Sequence, residues 1–246
     1  MSEILSRLDG AILRITLNRP EHGNMATDAM GHEIIRLLAE AHTRARVVVL
    51  DGAGEDFCLG RAGMGGRPIK PQEALERRRT SEVIYDTYGA VRSCKVPVIC
   101  AARGRVEGFG CAIASVCDIT IADDSARFCI PEMEHNIMPT MVMSALIDRA
   151  TMKGLNYLVY SAARVSAERA MIHGLVSDVV PAADLDAAVT RLCDKIVGYP
   201  AVATEGTKEY LRRAFGMTTP DAVDFARNIH AVINASSEIK QGRTHY

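Results

Sequence analysis

The sequence has no C-x-x-C pair, no basic N-terminal leader, no long apolar run and no excess of charge of either sign. Each absence removes a class of function. The seven cysteines (58, 94, 100, 111, 117, 129 and 193) sit mostly among apolar neighbours. They are expected as buried free thiols of a protein in a reducing, cytoplasmic setting. Neither they nor the histidines show ligand spacing, so no metal centre is expected. No apolar stretch approaches the roughly 20 residues that cross a bilayer, and the opening MSEILSRLDG lacks the charge pattern of a secretory signal. A formal net charge of −1 supplies no pull toward nucleic acid or an anionic membrane. Neither partner is expected. No short repeat or low-complexity linker is visible.

What is present suits a large soluble α/β domain, alone or with an appendage: 246 residues, 48% apolar and 24% charged. Residues 11–17 alternate as a strand and stop at Asn18-Arg19-Pro20. Residues 27–44 carry helical apolar spacing through Met30, Ile34, Leu37, Leu38 and Ala41. Val47-Val48-Val49-Leu50 and residues 96–102 are continuous apolar runs, the pattern of strands buried on both faces. Between them lie a glycine-rich loop from 54 to 71 and one helix over 73–93, whose Arg77-Arg78-Arg79 is expected to be solvated. After 108–117 (helix) and 119–122 (strand) the chain becomes mainly helical, with long amphipathic helices predicted at 184–197, 201–215 and 220–239. The alternation argues for an α/β layered fold.

The most informative stretch is 104–122, GRVEGFGCAIASVCDITIA. A dinucleotide fingerprint starting at Gly108 needs Gly or Ala at 113, and Ile113 stands there. The better reading is a strand feeding a helix whose first amides belong to Gly108, Phe109 and Gly110. Such amides have no intrahelical acceptor and lie at the positive end of the helix dipole, so they suit a developing oxyanion. A second donor is expected from Asp56-Phe57-Cys58-Leu59-Gly60-Arg61, and the Leu59 amide beside Gly60 is the candidate.

Taken in order, residues 15–20, 47–52, Phe57-Cys58-Leu59-Gly60, 97–104, Gly108-Phe109-Gly110, Cys117-Asp118 and Phe128-x-x-Pro131-Glu132 resemble the crotonase, or enoyl-CoA hydratase/isomerase, superfamily across roughly residues 5–235. The resemblance implies a ββα spiral core over 1–195 and a C-terminal helical trimerisation region over 196–246. The assembly would be a homotrimer or a hexamer of two trimers. It implies an acyl-CoA thioester substrate, coenzyme A being part of that substrate with no permanently bound cofactor. The carbonyl would be held by the Leu59 and Phe109 amides, with Gly60, Gly108 and Gly110 shaping the cradle and Ala112 beside the substrate.

Family hydratases of the best-known type use two glutamates. Here the second is Glu132, while the first position is Ala112. A single glutamate supports hydration or double-bond isomerisation of an enoyl-CoA. A CoA-ester lyase or decarboxylase, or a silent acyl-CoA binder, are the alternatives. His135 is open between a structural and a proton-shuttling role. Arg61 stands between a contact to a CoA phosphate or substrate carboxylate and a surface ion pair. Lys208 resembles the lysine that starts a late family helix and is a candidate for a phosphate contact. Thr140 falls where some relatives place an aspartate. The segment 61–80 and residues near Glu134 and His135 are expected to wall the acyl pocket.

Overall fold

The computed structural model describes residues 2–63 and 73–241. A six-stranded sheet forms the frame. Its strands are β1 (Ile4–Asp9), β2 (Ile12–Leu17), β3 (Val47–Gly52), β4 (Val98–Ala102), β6 (Ile119–Asp123) and β9 (Asp178–Val180), ordered β1-β2-β3-β4-β6-β9. The β1–β2 pair is antiparallel and every other neighbour pair is parallel. A second sheet places β7 (Arg127–Cys129) between β5 (Arg105–Glu107) and β8 (Val165–Ser166).

The apolar runs become two-faced strands because helices cover both sides of the sheet. Val48, Leu50, Val98 and Cys100 face one core, with α1 (Asp28–Glu40), α3 (Glu82–Ser93) and α4 (Phe109–Val116). Val47, Val49, Ile99 and Ala101 face the other, under α8 (Leu185–Val197). Alternate residues of one strand thus enter different cores. α1 starts where Thr27 accepts a hydrogen bond from the Met30 amide, and it buries Met30, Ile34, Leu37 and Leu38. Truncating one such leucine to alanine costs about 2–5 kcal/mol.

Several sequence boundaries change. The helix expected over 73–93 is two, α2 (Ala74–Arg79) and α3, separated at Thr80 and Ser81. Arg78 is exposed and faces Glu82 at 3.7 Å. The helices α5 (Thr140–Leu146), α6 (Met152–Ser161) and α7 (Ala167–Ile172) follow, and Ser166 caps α7 by accepting from the Arg169 amide. The final helix also divides: α9 (Ala201–Ala214) is followed by α10 (Thr219–Asn234) and α11 (Ser237–Gln241). α10 buries no residue and α9 buries only Gly206 and Lys208. A groove of about 880 Å³ separates α9 from the body, lined by Tyr199, Leu211 and Phe215 on its apolar side. All seven cysteines are buried and unpaired. Among the described residues no helix is long and apolar enough to cross a membrane, and no three His, Cys, Asp or Glu side chains form a metal-binding group.

Candidate functional site

Two parallel neighbours, β3 and β4, deliver their C-terminal loops side by side, where α/β sheets place ligands. The first loop is fixed by Asn24, fully buried with φ 53°. Its side-chain amide donates to the carbonyls of Ala53 and Asp56, and its carbonyl accepts the Arg19 amide. Asp56 then ties this loop to the second by pairing with Arg105 at 2.7 Å and accepting its backbone N–H. That pairing holds the Asp56 carboxyl below its ordinary pKa.

Gly110, in the first turn of α4, packs directly on the first loop. A Cβ there would stand 2.2 Å from the Cys58 carbonyl oxygen. The sequence reading gave this glycine to ligand approach; the structure gives it to packing of one loop on the other. Gly108 does face the site: it has φ +50°, and a Cβ on it would lie 2.9 Å from Glu132 Oε1. Its amide is anchored by the Cys129 carbonyl at 3.0 Å, which joins the start of α4 to the end of β7 and thereby to Glu132.

Accounting for the amides corrects one expectation. Leu59 N–H donates to the Gly23 carbonyl at 2.9 Å and is not available to a ligand. Two residues on, Ala26 N–H donates to Gly60 O, and Ala62 N–H donates to Ala26 O. Across a trans peptide the N–H points opposite the C=O, so the Arg61 amide is directed away from Ala26, and it has no acceptor among the described residues. Gly60 Cα lies 3.5 Å from the Cβ position of Gly108, which brings the loop that carries Arg61 against the start of α4. The Phe109 amide opens α4 and, as the first helical amide, has no intrahelical acceptor. Arg61 and Phe109 are therefore the candidate donor amides at this site.

Both residues line a cavity of about 230 Å³ together with Gly60, Gly108, Glu132 and His135. Its remaining wall is largely apolar, including Met25, Leu59, Ile84, Ile137, Met141 and Val142. Glu132 begins a 3₁₀ turn that runs to His135. Its Oε2 is buried with no hydrogen-bond partner in the protein. Burial pushes the Glu132 carboxyl above the ordinary range, and Glu107 adds to the rise; its own backbone N–H and His135 temper it. A carboxylate so placed, opposite two unengaged amides, can take a proton from a carbon whose carbonyl those amides polarise.

The other sequence candidates separate. His135 is exposed and lines the cavity mouth. The Arg61 side chain pairs with Asp28 at 2.9 Å and also donates to the Thr80 carbonyl. Ala112 is fully buried in the core. Lys208 does not line this cavity: its ammonium is 2.7 Å from Asp118, 2.9 Å from the Val96 carbonyl and 3.3 Å from that of Val91. Three oxygens occupy its three protons and none is left for a phosphate. Thr140 is exposed at the start of α5. Of the wall expected over 61–80, residues 64–72 lie outside the described residues, and 73–80 does not line the cavity.

One residue escaped the sequence reading. Tyr88, on α3 one turn after Ile84, lines the same cavity and is 3% exposed. Its ring stacks on Phe109 with centroids 5.6 Å apart, and its hydroxyl is buried without a partner. On the buried face of α3 the neighbouring Thr87 hydroxyl donates to the Val83 carbonyl, which leaves that of Tyr88 as the signal.

The chain is 28% identical to the short-chain-enoyl-CoA hydratase of Clostridium acetobutylicum, over 92% of this chain and 87% of that protein. It is 26% identical to the peroxisomal Delta(3,5)-Delta(2,4)-dienoyl-CoA isomerase of Arabidopsis thaliana, over 97% of this chain and 90% of that protein. A candidate enoyl-CoA hydratase of Thermobifida fusca YX, solved in complex with CoA, superposes with a TM-score of 0.83 at 27% identity, covering 95% of this chain and 93% of that one. The sequence profile of the enoyl-CoA hydratase/isomerase family matches residues 7–246, so the chain belongs to that family.

Proposed function

We propose that the protein is an acyl-CoA-processing enzyme that forms a thioester enolate, using Glu132 as its acid/base for hydration or double-bond isomerisation of an enoyl-CoA. The observation that carries this reading is the buried, unpartnered Glu132 Oε2 on a residue lining one cavity with Arg61 and Phe109, whose amides are free. The thioester carbonyl oxygen sits between the two amides, and withdrawal of its electrons acidifies the hydrogen on Cα. For isomerisation, Glu132 takes a proton from C2 of a 3-enoyl-CoA and returns it to C4. The electron pair of the broken C–H bond becomes the new C2=C3 bond, and the thioester passes through a dienolate. A single carboxylate suffices, which fits Ala112 at the place of the family's first glutamate. The relative of Clostridium favours hydration as a second reading of the same enolate site.

The CoA-bound relative supports a thioester substrate. Residues 196–246 are proposed as a trimerisation region. Leu211, Phe215 and Val232 are 64%, 74% and 70% exposed in the isolated chain, apolar surface that neighbouring copies would cover. Native mass measurement tests that assembly. The activity is tested by incubating the protein with 3-enoyl-CoA and crotonyl-CoA in heavy water and following deuterium at Cα. Deuterium incorporation that disappears in Glu132→Gln is the expected result. Full exchange in that variant, or none in the natural protein, overturns the reading.

A further inference from the structure

Tyr88 is an expensive residue in this position unless something binds it. A buried hydroxyl without a partner costs about 1–3 kcal/mol, and phenylalanine would fill the same volume and stack on Phe109 without that cost. The ring is held by this stack and by the α3 backbone, so the hydroxyl of this cavity-lining residue has a fixed position at the wall. Glu132, lodged against Gly108, brings a second unpartnered buried oxygen to the same space. Tyr88 packs on Phe109 and Glu132 lies against Gly108, the residue before it, so both side chains border the start of α4. Burial and the Glu132 charge both push the Tyr88 phenol well above its usual range, so it stays protonated and can both donate and accept.

We propose that Tyr88 Oη and Glu132 Oε2 together hold the oxygen that becomes, or leaves as, the C3 hydroxyl of the acyl chain. This extends the proposed function and rests on it for the role of Glu132. In the family's two-glutamate pattern a carboxylate at position 112 would share that oxygen. Here a phenol reaching in from α3 takes over the task. In the hydration direction a water oxygen forms its bond to C3 of the 2-enoyl thioester. One water O–H bond breaks and its proton goes to Glu132, while the C2=C3 electrons move into the thioester as the enolate. Glu132 then returns a proton to C2, and the enolate electrons become the new C–H bond. Tyr88 exchanges no proton; it positions the oxygen.

Tyr88→Phe separates this role from a structural one. The first measurement is the affinity for 3-hydroxybutyryl-CoA against butyryl-CoA, which differ by the hydroxyl alone. The natural protein is expected to prefer the hydroxyacyl thioester by about tenfold, and Tyr88→Phe to lose the preference. The second is the ratio of crotonyl-CoA hydration to deuterium exchange at Cα of butyryl-CoA, both on one preparation. That ratio is expected to fall by about 10²-fold in Tyr88→Phe, without a lower Tm. An unchanged ratio, or the absence of any hydroxyl preference in the natural protein, overturns the proposal. Equal loss of both reactions also overturns it, since that marks a packing residue. If Glu132→Gln leaves exchange intact, the Glu132 reading fails by itself, and the thioester preference still decides the role of Tyr88.

Discussion

Replacing Gly110 with alanine tests whether the two amide donors depend on contact between their loops. The added Cβ would stand 2.2 Å from the Cys58 carbonyl oxygen and 2.7 Å from the Cys58 Cβ. That carbonyl cannot swing aside freely, because it accepts the Glu107 amide at 2.9 Å. Restoring an ordinary contact requires the 58–61 loop to retreat from α4 by about 1 Å, a displacement large enough to cost 10²-fold in a positioned reaction. Arg61 travels with this loop while Phe109 stays on the helix. Both amides then cannot reach one oxygen at about 2.7–3.1 Å, and loss of one donor lowers the rate by about 10²–10³-fold. Overpacking itself costs about 1–3 kcal/mol, and each kcal/mol lowers Tm by about 2–4 °C in a chain of this size. The assay is Cα deuterium exchange, run below both melting transitions and alongside thioester binding. Gly89 serves as the control: it lies on the exposed face of α3 with nothing within 4 Å of its Cβ position. Gly89→Ala should stabilise by about 0.5–1 kcal/mol and leave exchange unchanged. Exchange by Gly110→Ala within about threefold of the natural protein would refute the reasoning.

The raised Glu132 carboxyl fixes the sign of two pH effects. As a base it must be ionised, so exchange increases as pH climbs through its raised pKa and levels off above it. Between the unfolded and folded pKa values the native state binds the extra proton, so this group makes stability fall as pH rises through that window. Glu132→Gln should therefore raise Tm at neutral pH relative to the natural protein and show less advantage near pH 4, while exchange drops by about 10²–10⁴-fold. An equal Tm difference at both pH values would contradict the burial cause. Lys208→Met should lower stability by about 3 kcal/mol in urea unfolding, because Asp118 and two carbonyls lose a shared donor. Unchanged unfolding with lost affinity for CoA would return Lys208 to the phosphate role. The cysteines should resist thiol reagents until the protein unfolds, as all seven are buried and burial pushes Cys58 up to about 12 and Cys129 and Cys193 up to about 11. Rapid labelling of any of them in the native protein would show local opening.

The parts of the fold that were legible are those in which burial imposes a period. β3, β4, α1 and α4 follow apolar patterns long enough to identify, and their ends lie close to the expected ones. β1 escaped because only Ile4 is buried among its six residues, so no alternation betrays it. β5, β7 and β8 have three, three and two residues, too few for any period, and they exist through pairing with one another. Glu132 was legible from its motif. Which upstream amide stays free was not, because the choice between Leu59 and Arg61 depends on which amide the Gly23 carbonyl captures. That is a tertiary contact between segments more than thirty residues apart.

Ala112 now has a physical consequence beyond the loss of a second acid/base. The first turn of α4 contains no acidic residue, and Ala112 is fully buried. A carboxylate at that point would place negative charge close to the helix end on which the oxyanion depends, and would couple to Glu132 as a like charge. With alanine there, the proton affinity of Glu132 is raised chiefly by burial, and the positive helix end acts on the thioester oxygen without that competition. The substitution thus favours enolate formation while removing one holder of water. On the proposed reading, proton transfer at Cα is then the basic competence of the site. Hydration is added only if another side chain binds the C3 oxygen, and Tyr88 is the residue whose hydroxyl is both buried in that cavity and otherwise unpartnered.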